Sequence, residues 1–397
     1  LQKMKDKAIK NLTITLLIFV GVTFIYFLFS TAIDGYSIWG TNKINFSVTG
    51  QFGDFIGGFL GTVINGAAFY FLYLTLNEQR KSAESQSFET KFYELIHLHR
   101  ENVSELRYTK NNLTAESRKV FRVIVEEFVE CFHEVKRFSK IYPDIEMLHP
   151  TYKIKLAQIA KANKCRAKVE EIAIIDIPFC CNYFGLSRES ETILLHKFYN
   201  RYNKDFIRRL KTFLQLKPKT EDFNLFAEWK EFKSKDVKEM KEVFEKIYYN
   251  RKLGSLDTSS NLLFKNLSAN KYYGGHQHRL GHYFRHLFQS FKFISLQQSL
   301  TPKEKYFYAK TLRAQLSTYE QFILLFNSLS SLGMKWEYTA DIDNLPAGYD
   351  LEDFKFITRY NLIKNLPGSQ YYDIKYRIFY PNVHFDYRDD ITYSVGT

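Results

Sequence analysis

The sequence FIGGFLGTVINGAAFYFLYLTL, from Phe55 to Leu76, decides the fold class of this chain. It contains no Asp, Glu, Lys or Arg over a length that covers about 30 Å as a helix, which is the thickness of the hydrocarbon core of a bilayer. A second uncharged sequence, LTITLLIFVGVTFIYFLFSTA, runs from Leu12 to Ala32. Buried helices of soluble proteins rarely remain uncharged for so long. The two sequences therefore predict a hairpin of two transmembrane helices, with spans at residues 12–32 and 55–76.

Flanking charges indicate how this predicted anchor, residues 1–77, is oriented. Four lysines and one aspartate precede the first span, and the loop between the spans carries only Asp34, Lys43 and Asp54. Arg80 and Lys81 follow the second span. Because positive residues favour the cytoplasmic side, both termini are expected in the cytoplasm.

A cleaved signal peptide is the alternative for the first span. Its basic start and the small residues Ser30, Thr31 and Ala32 fit a processing site, although the apolar core is longer than a typical signal-peptide core. Arg80 and Lys81 would then follow a single remaining span. The rest of the chain is expected in the cytoplasm in either case.

Gly57 and Gly61 lie four residues apart on one face of the second predicted span. Such pairs of small residues let another helix approach closely. Asn65 needs a hydrogen-bond partner within hydrocarbon, which also favours a packed face. The partner is either the first span of the same chain or the same helix of another protomer in a homo-oligomer.

The sequence after the second span predicts helices. Apolar residues spaced three and four apart between Phe88 and Leu106 indicate a helical face. We predict a helical stalk over residues 78–112, with a short coiled coil or an amphipathic helix packed on the rest of the protein as alternatives. Residues 113–397 predict an α-helical cytoplasmic domain, so the fold class is mainly α.

Within that domain, residues 117–138 carry an apolar stripe typical of a core helix. The paired Glu126 and Glu127 are interpreted as part of its solvated face. Turn-rich breaks follow at 142–150, 217–220 and 254–275. Weak alternation from Tyr371 to Asp386 predicts a hairpin or an extended C-terminal arm over 371–397.

The net charge of +13 lies mostly after the second span. A basic domain beside a bilayer is attracted either to the anionic inner leaflet or to nucleic acid, unless its surface is simply solvated. The four cysteines, Cys131, Cys165, Cys180 and Cys181, lack the CxxC spacing and are expected to be reduced core residues. The sequence contains no Gly-rich phosphate loop and predicts no cofactor.

The sequence HQHRLGHYFRHLFQSFKFI, from His276 to Ile294, holds the densest polar cluster. On a helix Arg279, His282 and His286 share one face. Three hypotheses remain open: a metal site, a metal-independent ribonuclease in which arginine binds the phosphate and histidine moves a proton, and a basic helix end that binds phosphate without chemistry. The absence of a nearby carboxylate or thiolate disfavours a metal. The Arg-x6-His spacing of Arg279 and His286 resembles the signature of the HEPN superfamily of helical ribonucleases.

A second segment, LRAQLSTYEQFILLFNSLS from Leu312 to Ser330, predicts a helix with an apolar face. Arg313, Ser317 and Glu320 lie on another face, where an ion-pair and hydrogen-bond network is favoured over a catalytic role. If this segment packs beside the histidine cluster, Glu320 can orient a histidine.

Several collinear stretches resemble the phage abortive infection family of AbiC-like proteins. They are GDFIGGFLGTVINGAAFYFLYLTL from Gly53, QSFETKFYELIHLHRENV from Gln86, NYFGLSRES from Asn182, GHYFRHLFQSFKFI from Gly281 and LRAQLSTYEQFILLFNSLS from Leu312. The family motif corresponds to Tyr283, Phe284, Arg285, Arg313, Gln315, Ser317 and Glu320.

The resemblance implies a role in antiphage defence, in which infection triggers arrest or death of the host cell. It places the chain in the inner membrane of a bacterium, with a phage-encoded trigger as a partner. Two mechanisms are open. In one, the cytoplasmic domain is a ribonuclease that acts on RNA, with Arg285 and Arg313 binding phosphate beside the histidine cluster, and Gln315, Ser317 and Glu320 form a structural network. In the other, the domain is a sensor without enzyme chemistry, and the spans oligomerise and disturb the membrane.

Overall fold

The computed structural model describes residues 2–33, 46–110, 113–253, 271–339 and 348–386. The chain divides into two compact units, Leu1–Ser87 and Phe88–Thr397. Most of the predicted break at 254–275 and the end of the predicted C-terminal arm lie outside the described residues.

Long helices make up the described part of the first unit. They are α1 (Gln2–Ile33), α2 (Phe46–Asp54), a π-helical stretch (Phe55–Leu60) and α3 (Gly61–Ser104), which continues into the second unit. The Phe27 ring of α1 stacks on Phe55 with centroids 4.5 Å apart. The second predicted span therefore begins as a π-helix and becomes α-helical at Gly61.

One helix among the described residues, Gly57–Ser104, is long and apolar enough to cross a membrane. Core helices of soluble proteins and signal sequences share this length and composition. Helix α1 contains a shorter apolar segment, Ile18–Ser30. Both uncharged sequences are helical where described, whereas the transmembrane hairpin stays a prediction.

The second unit consists mainly of helices, in agreement with the predicted mainly α fold. Two small antiparallel hairpins pair β1 (Arg107–Lys110) with β2 (Leu113–Glu116) and β3 (Gln370–Tyr371) with β4 (Ile374–Lys375). The described helices that follow α3 are α4 (Lys119–Ile141), α5 (Pro150–Ala162), α6 (Val169–Phe184), α7 (Arg188–Phe198), α8 (Lys204–Leu216), α9 (Phe223–Ser234), α10 (Val237–Leu253), α11 (Gln277–Ser295), α12 (Pro302–Arg313), α13 (Thr318–Leu329), α14 (Phe356–Arg359) and α15 (Tyr376–Phe379). Short 3₁₀ turns occupy Met334–Trp336 and Leu351–Phe354.

Helix α4 packs against α6, α8, α10 and α13 through a largely apolar face. Val120, Ile124 and Phe128 on this face are all fully buried. Helix α6 is buried along most of its length, and every residue of α13 from Glu320 to Leu329 is buried. Apolar residues around the whole circumference are typical of a core helix, so α6 and α13 form the interior on which α4 lies.

The predicted stalk over 78–112 differs from the structure in two respects. Helix α3 ends at Ser104, and the chain then forms the β1–β2 hairpin. From Phe88 onward α3 belongs to the second unit, where its apolar stripe is buried. The stripe is buried because aromatic residues cover it: the Phe88 ring lies 5.1 Å from Phe293 and 4.9 Å from Tyr308.

The described part of the predicted C-terminal arm is packed on the second unit. Tyr372 and Asp373, with φ angles of 46° and 67°, form the turn between β3 and β4. Tyr376 and Tyr380 that follow are each 1% exposed. This region is therefore a short hairpin and a helical turn that close over the core.

The chain that leads into α11 crosses the C-terminal end of α6 at very close range. Gly185 and Gly275 have positive φ angles of 85° and 90°. A Cβ on Gly185 would lie 2.7 Å from the carbonyl carbon of Gly274, and a Cβ on Gly275 would lie 2.5 Å from the carbonyl oxygen of Phe184. Only glycine fits both the backbone conformation and the available space.

Candidate functional site

Two glutamates of α4 are buried. Glu127 is fully buried and Glu134 is 1% exposed. Each follows an apolar core residue by three positions, since Ile124 precedes Glu127 and Cys131 precedes Glu134. The interpretation of Glu126 and Glu127 as a solvated pair is therefore wrong for Glu127, and only Glu126 is exposed.

Glu127 is held by three side chains from outside α4. His276 Nε2 lies 2.6 Å from Oε2, the Tyr108 hydroxyl donates to Oε1 at 2.7 Å, and Lys110 Nζ lies 3.0 Å from Oε1. Burial by itself raises the pKa of Glu127, but His276, Lys110 and Tyr108 outweigh burial and lower this pKa to about 2. The Glu127 carboxylate is thus ionised at neutral pH, and its three partners stabilise the buried negative charge.

Lys217 bridges the buried Glu134 and the exposed Glu130. Its Nζ lies 3.0 Å from Glu134 and 2.9 Å from Glu130, and Tyr273 donates its hydroxyl to Glu134 at 2.6 Å. Burial lowers the pKa of Lys217, but the two carboxylates raise it by more, so the net shift is upward. The Tyr272 hydroxyl donates to Glu130. These contacts bind the segment before α11 to α4.

An open groove of about 1190 Å³ lies above this network. Its floor is the outer face of α4, from Lys119 to Arg137, and its walls include the β1–β2 hairpin, Tyr272 and α9. Three glutamates line it, namely Glu126, Glu130 and Glu134. The basic residues that line it are more numerous: Lys110, Lys119, Arg122, Arg137, Lys217, Lys230 and Lys233.

Arg279, predicted to bind phosphate in a ribonuclease site, contacts this network. Its Nε donates to the carbonyl of Arg107 at 2.9 Å, and its guanidinium lies 4.5 Å from the Tyr108 ring centroid. Burial lowers its pKa, although nearby Tyr108 and Glu127 act in the opposite direction. Arg279 therefore fixes the β1–β2 hairpin to α11.

His286 lies elsewhere, against α3. Its Nε2 is 2.9 Å from the carbonyl of Leu95, which makes this nitrogen the donor, and its ring stacks with His99 at 6.3 Å. Burial lowers the pKa of His286. Seven residues of helix separate Arg279 from His286 by about 10 Å along α11. The two residues of the HEPN-like spacing thus have separate hydrogen-bond partners.

His282 and Arg285 are neighbouring exposed polar residues of this helix. Arg285 Nη2 lies 3.3 Å from His282 Nδ1. A Cβ at neighbouring Gly281 would lie 3.2 Å from the Tyr183 hydroxyl. An imidazole and a guanidinium are therefore adjacent on the surface of α11.

Arg313, also predicted to bind phosphate, is 7% exposed. Its Nη1 donates to the carbonyls of Tyr360 and Asn361 at 2.9 and 3.1 Å. Gln315 accepts a hydrogen bond from Arg100 at 2.9 Å. Arg313 therefore holds the end of α12 against the chain after α14.

The predicted single helix from Leu312 to Ser330 is broken. Helix α12 ends at Arg313 and α13 begins at Thr318. Ser317 is the N-cap: its hydroxyl accepts from the N–H of Glu320, and Glu320 accepts from the N–H of Ser317 at 2.8 Å. This capping box satisfies free N–H groups at the start of α13, which explains the break.

Glu320 is fully buried and lies between α11, α3 and the residue before α4. Tyr283 of α11 donates to Oε1 at 3.3 Å, His99 Nε2 of α3 lies 3.6 Å from Oε1, and Arg118 Nε lies 3.8 Å from Oε2. Burial raises the pKa of Glu320, but His99 and Ser317 lower it by more. The histidine beside Glu320 is His99, outside the predicted cluster. Glu320 and Arg313 have separate partners, in contrast to the expected network between them.

Gly57 lies in the π-helical stretch, and a Cβ placed on it would meet nothing within 4 Å. Gly61 begins α3, and Asn65 on the same helix is exposed. No group of three or more His, Cys, Asp or Glu side chains suited to a metal occurs in the described ranges. All four cysteines are free, and Cys131, Cys180 and Cys181 are buried.

The residues around Glu127 and Glu134 were not predicted as a site from the sequence. His276 was the first residue of the quoted segment, but its partners Glu127 and Tyr108 were not recognised. The three- and four-residue spacing that placed Ile124 and Cys131 in the core also placed Glu127 and Glu134 there, and this signal was available. Lys217 carried no comparable signal, because a turn-rich break surrounds it.

These features define a mainly helical protein with a basic groove over buried ionic contacts. Residues 275–341 match the family model described as "Putative phage abortive infection protein". The match covers α11, α12 and α13, and confirms the suspected AbiC-like resemblance over these residues. Searches of curated proteins and of solved structures found no match.

Proposed function

We propose that this protein is an abortive-infection effector that acts at the bacterial inner membrane. The family match at residues 275–341 supports the defence role. The long apolar helix Gly57–Ser104, whose apolar window is not buried, supports the membrane role. Anchoring by α1 and the helix that begins near Gly57, with both ends in the cytoplasm, is part of the proposal.

The mechanism that the geometry favours is assembly of protomers through the glycine face of the second span. A Cβ on Gly57 or Gly58 would meet nothing within 4 Å, so this face is open to a second helix. A phage-encoded trigger sensed by the helical body would promote this assembly, and the assembled spans would disturb the membrane. No enzyme chemistry is required in this mechanism.

A ribonuclease is the second candidate, favoured by the exposed pair on α11. His282 and Arg285, 3.3 Å apart, combine an imidazole, which can donate or accept a proton, with a phosphate-binding guanidinium. The Arg279 and His286 pair has weaker geometric support, because both side chains bond to backbone carbonyls.

Phage challenge of cells that express the full chain tests both mechanisms. We expect Gly57→Leu with Gly61→Leu to abolish protection, because the added side chains block close helix contact. Gly66→Leu is the matched control. As at Gly57, a Cβ at Gly66 meets nothing within 4 Å, but Gly66 lies about 140° around the helix from Gly61. Membrane potential and RNA integrity are followed in the same cultures.

Depolarisation before RNA loss, absent in the double glycine variant and retained in Gly66→Leu, is the expected result. Equal protection by all glycine variants would contradict assembly through this face. RNA cleavage that precedes depolarisation and disappears in His282→Ala or in Arg279→Ala with His286→Ala would instead favour the ribonuclease.

A further inference from the structure

The groove above α4 has an excess of positive charge that its own carboxylates do not neutralise. Glu134 is paired with Lys217 and Lys233, and Glu126 is paired with Arg122 at 2.9 Å. Glu130 accepts from both Lys217 and Tyr272. All three acidic residues of the groove are therefore already compensated.

Three cations of the groove have no acidic partner among the described residues. Lys119 and Lys230 are exposed and form no ion pair there. Arg137 donates from Nη2 to the carbonyl of Lys235 at 2.9 Å, while its buried Nε has no hydrogen-bond partner. Arg137 also lines the groove, so its guanidinium adds a positive charge there for an anion.

Aromatic rings also line the groove. Tyr372, at the β3–β4 turn, is 53% exposed and lines the groove. Its ring contacts that of His133 on α4 at 5.6 Å. Phe226 of α9 is half-buried, with Lys230 Nζ 5.1 Å from its ring centroid. Basic residues that track a backbone, alternating with rings that stack on bases, are typical of sites for single-stranded nucleic acid.

The dimensions favour a strand over a single nucleotide. The groove floor follows α4 from Lys119 to Arg137, which corresponds to about 27 Å at the helical rise. Small-molecule sites occupy about 300–1000 Å³, whereas this groove measures about 1190 Å³. A site of this length holds about four to eight nucleotides.

From charge, rings and length together, we infer that the groove between α4, the β1–β2 hairpin and α9 binds single-stranded nucleic acid. Phosphates contact Lys119, Lys230 and Arg137, and bases stack on Tyr372 and Phe226. The inference goes beyond the proposed function, because it assigns a ligand to a surface outside the spans and outside α11. It requires neither membrane assembly nor RNA cleavage.

Fluorescence anisotropy on the purified full-length chain in detergent tests the inference. The probes are a labelled U12 RNA, a labelled dT12 DNA and a labelled 12-base-pair DNA duplex. We expect a single strand to bind more tightly than the duplex. Comparison of the affinities for the U12 RNA and the dT12 DNA shows whether the groove accepts ribose or deoxyribose.

Lys119→Ala with Lys230→Ala is the decisive variant. Loss of two phosphate contacts lowers the slope of log Kd against log salt by about 1.4 and weakens binding by about 25-fold at 0.1 M salt. Lys140→Ala with Lys155→Ala removes the same charge from exposed positions outside the groove and is expected to bind as the wild type does. Tyr372→Ala weakens binding by about fivefold or more, whereas Tyr372→Phe retains it.

Equal loss of binding in the two double-lysine variants would overturn the groove assignment. It would indicate that the nucleic acid is attracted by the overall positive charge of the protein. Duplex binding as tight as single-strand binding would overturn the ligand class. Circular dichroism spectra of all variants identify misfolding. Loss of binding with protection against phage intact would leave the proposed function standing.

Discussion

Glu337 shows how one buried carboxylate differs from the others. It is 6% exposed, and its oxygens accept hydrogen bonds from the N–H and the hydroxyl of Thr358. Burial raises the pKa of Glu337 to about 7, while the Thr358 hydrogen bonds act in the opposite direction. Glu127, by contrast, has His276 and Lys110 beside it and remains charged.

Glu337 makes the stability of the protein depend on pH. The folded chain retains a proton that the unfolded chain loses between its ordinary pKa of 4.5 and about 7. Its contribution to stability is therefore fully present below pH 4.5 and is lost as pH rises to 7. Glu337→Gln removes this dependence, so the free energy of unfolding of the variant relative to wild type rises by about 2 to 3 kcal/mol from pH 5 to pH 8.

Chemical denaturation of the full-length chain at the two pH values measures this change. Glu94→Gln, at an exposed position of α3, is the control and is expected to leave the pH dependence unchanged. A parallel pH dependence of Glu337→Gln and wild type would contradict the assigned shift.

At the level of elements, the crossing of Gly185 and Gly275 determines how α11 joins the core. It presses the chain before α11 against the end of α6, where the N–H of His276 donates to the carbonyl of Tyr183 at 2.8 Å. The His276 side chain is thereby directed to Glu127. A backbone contact between the end of α6 and the chain before α11 thus positions the buried contact between His276 and Glu127.

Gly275→Ala is expected to destabilise the protein by about 3 kcal/mol or more. The new Cβ would lie only 2.5 Å from the Phe184 carbonyl oxygen. A residue other than glycine also pays about 1–2 kcal/mol for the left-handed backbone conformation. Gly274→Ala is a close control, because a Cβ there meets nothing within 4 Å. The control is expected to change stability by less than about 1 kcal/mol. Similar denaturation midpoints for both variants would contradict the role of the crossing.

Helices with a regular apolar stripe could be predicted from the sequence. The spacing of Val120, Ile124 and Phe128 specified the buried face of α4, and short-range periodicity suffices for such a face. The break before α13 was also encoded, in the capping pair of Ser317 and Glu320, but a continuous helix was predicted across it. The π-helical stretch at Phe55–Leu60 had no local signal that we recognised.

The partners of polar residues could not be predicted, since they come from distant parts of the chain. Glu320 meets His99 of α3 and Arg118 before α4, and Arg313 meets the carbonyl of Tyr360. The spacing of residues on one helix identifies its own faces, but not the helix that covers each face. The histidine cluster was therefore recognised as a group, although its members contact different elements.

For the whole molecule, burial predicts an order of local stability. Helix α13 is buried from Glu320 to Leu329, whereas the β1–β2 hairpin alternates between exposed and half-buried residues. An amide hydrogen exchanges when the surrounding structure opens locally, and the free energy of this opening is highest in the best-packed core. We expect hydrogen exchange of the full-length chain to be slowest in α6 and α13 and much faster in β1 and β2. Equal protection in the hairpin and in α13 would contradict this order.

The pairing of Glu127 with His276 also has a consequence for synthesis. The two residues are 149 positions apart. At about 5–20 residues per second, a ribosome needs about 7 to 30 s to reach His276 after Glu127 has been added. During that interval α4 carries a carboxylate whose histidine partner does not yet exist. Only chains completed before protein synthesis stops can contain the assembled core, so a host whose translation fails must rely on copies made earlier.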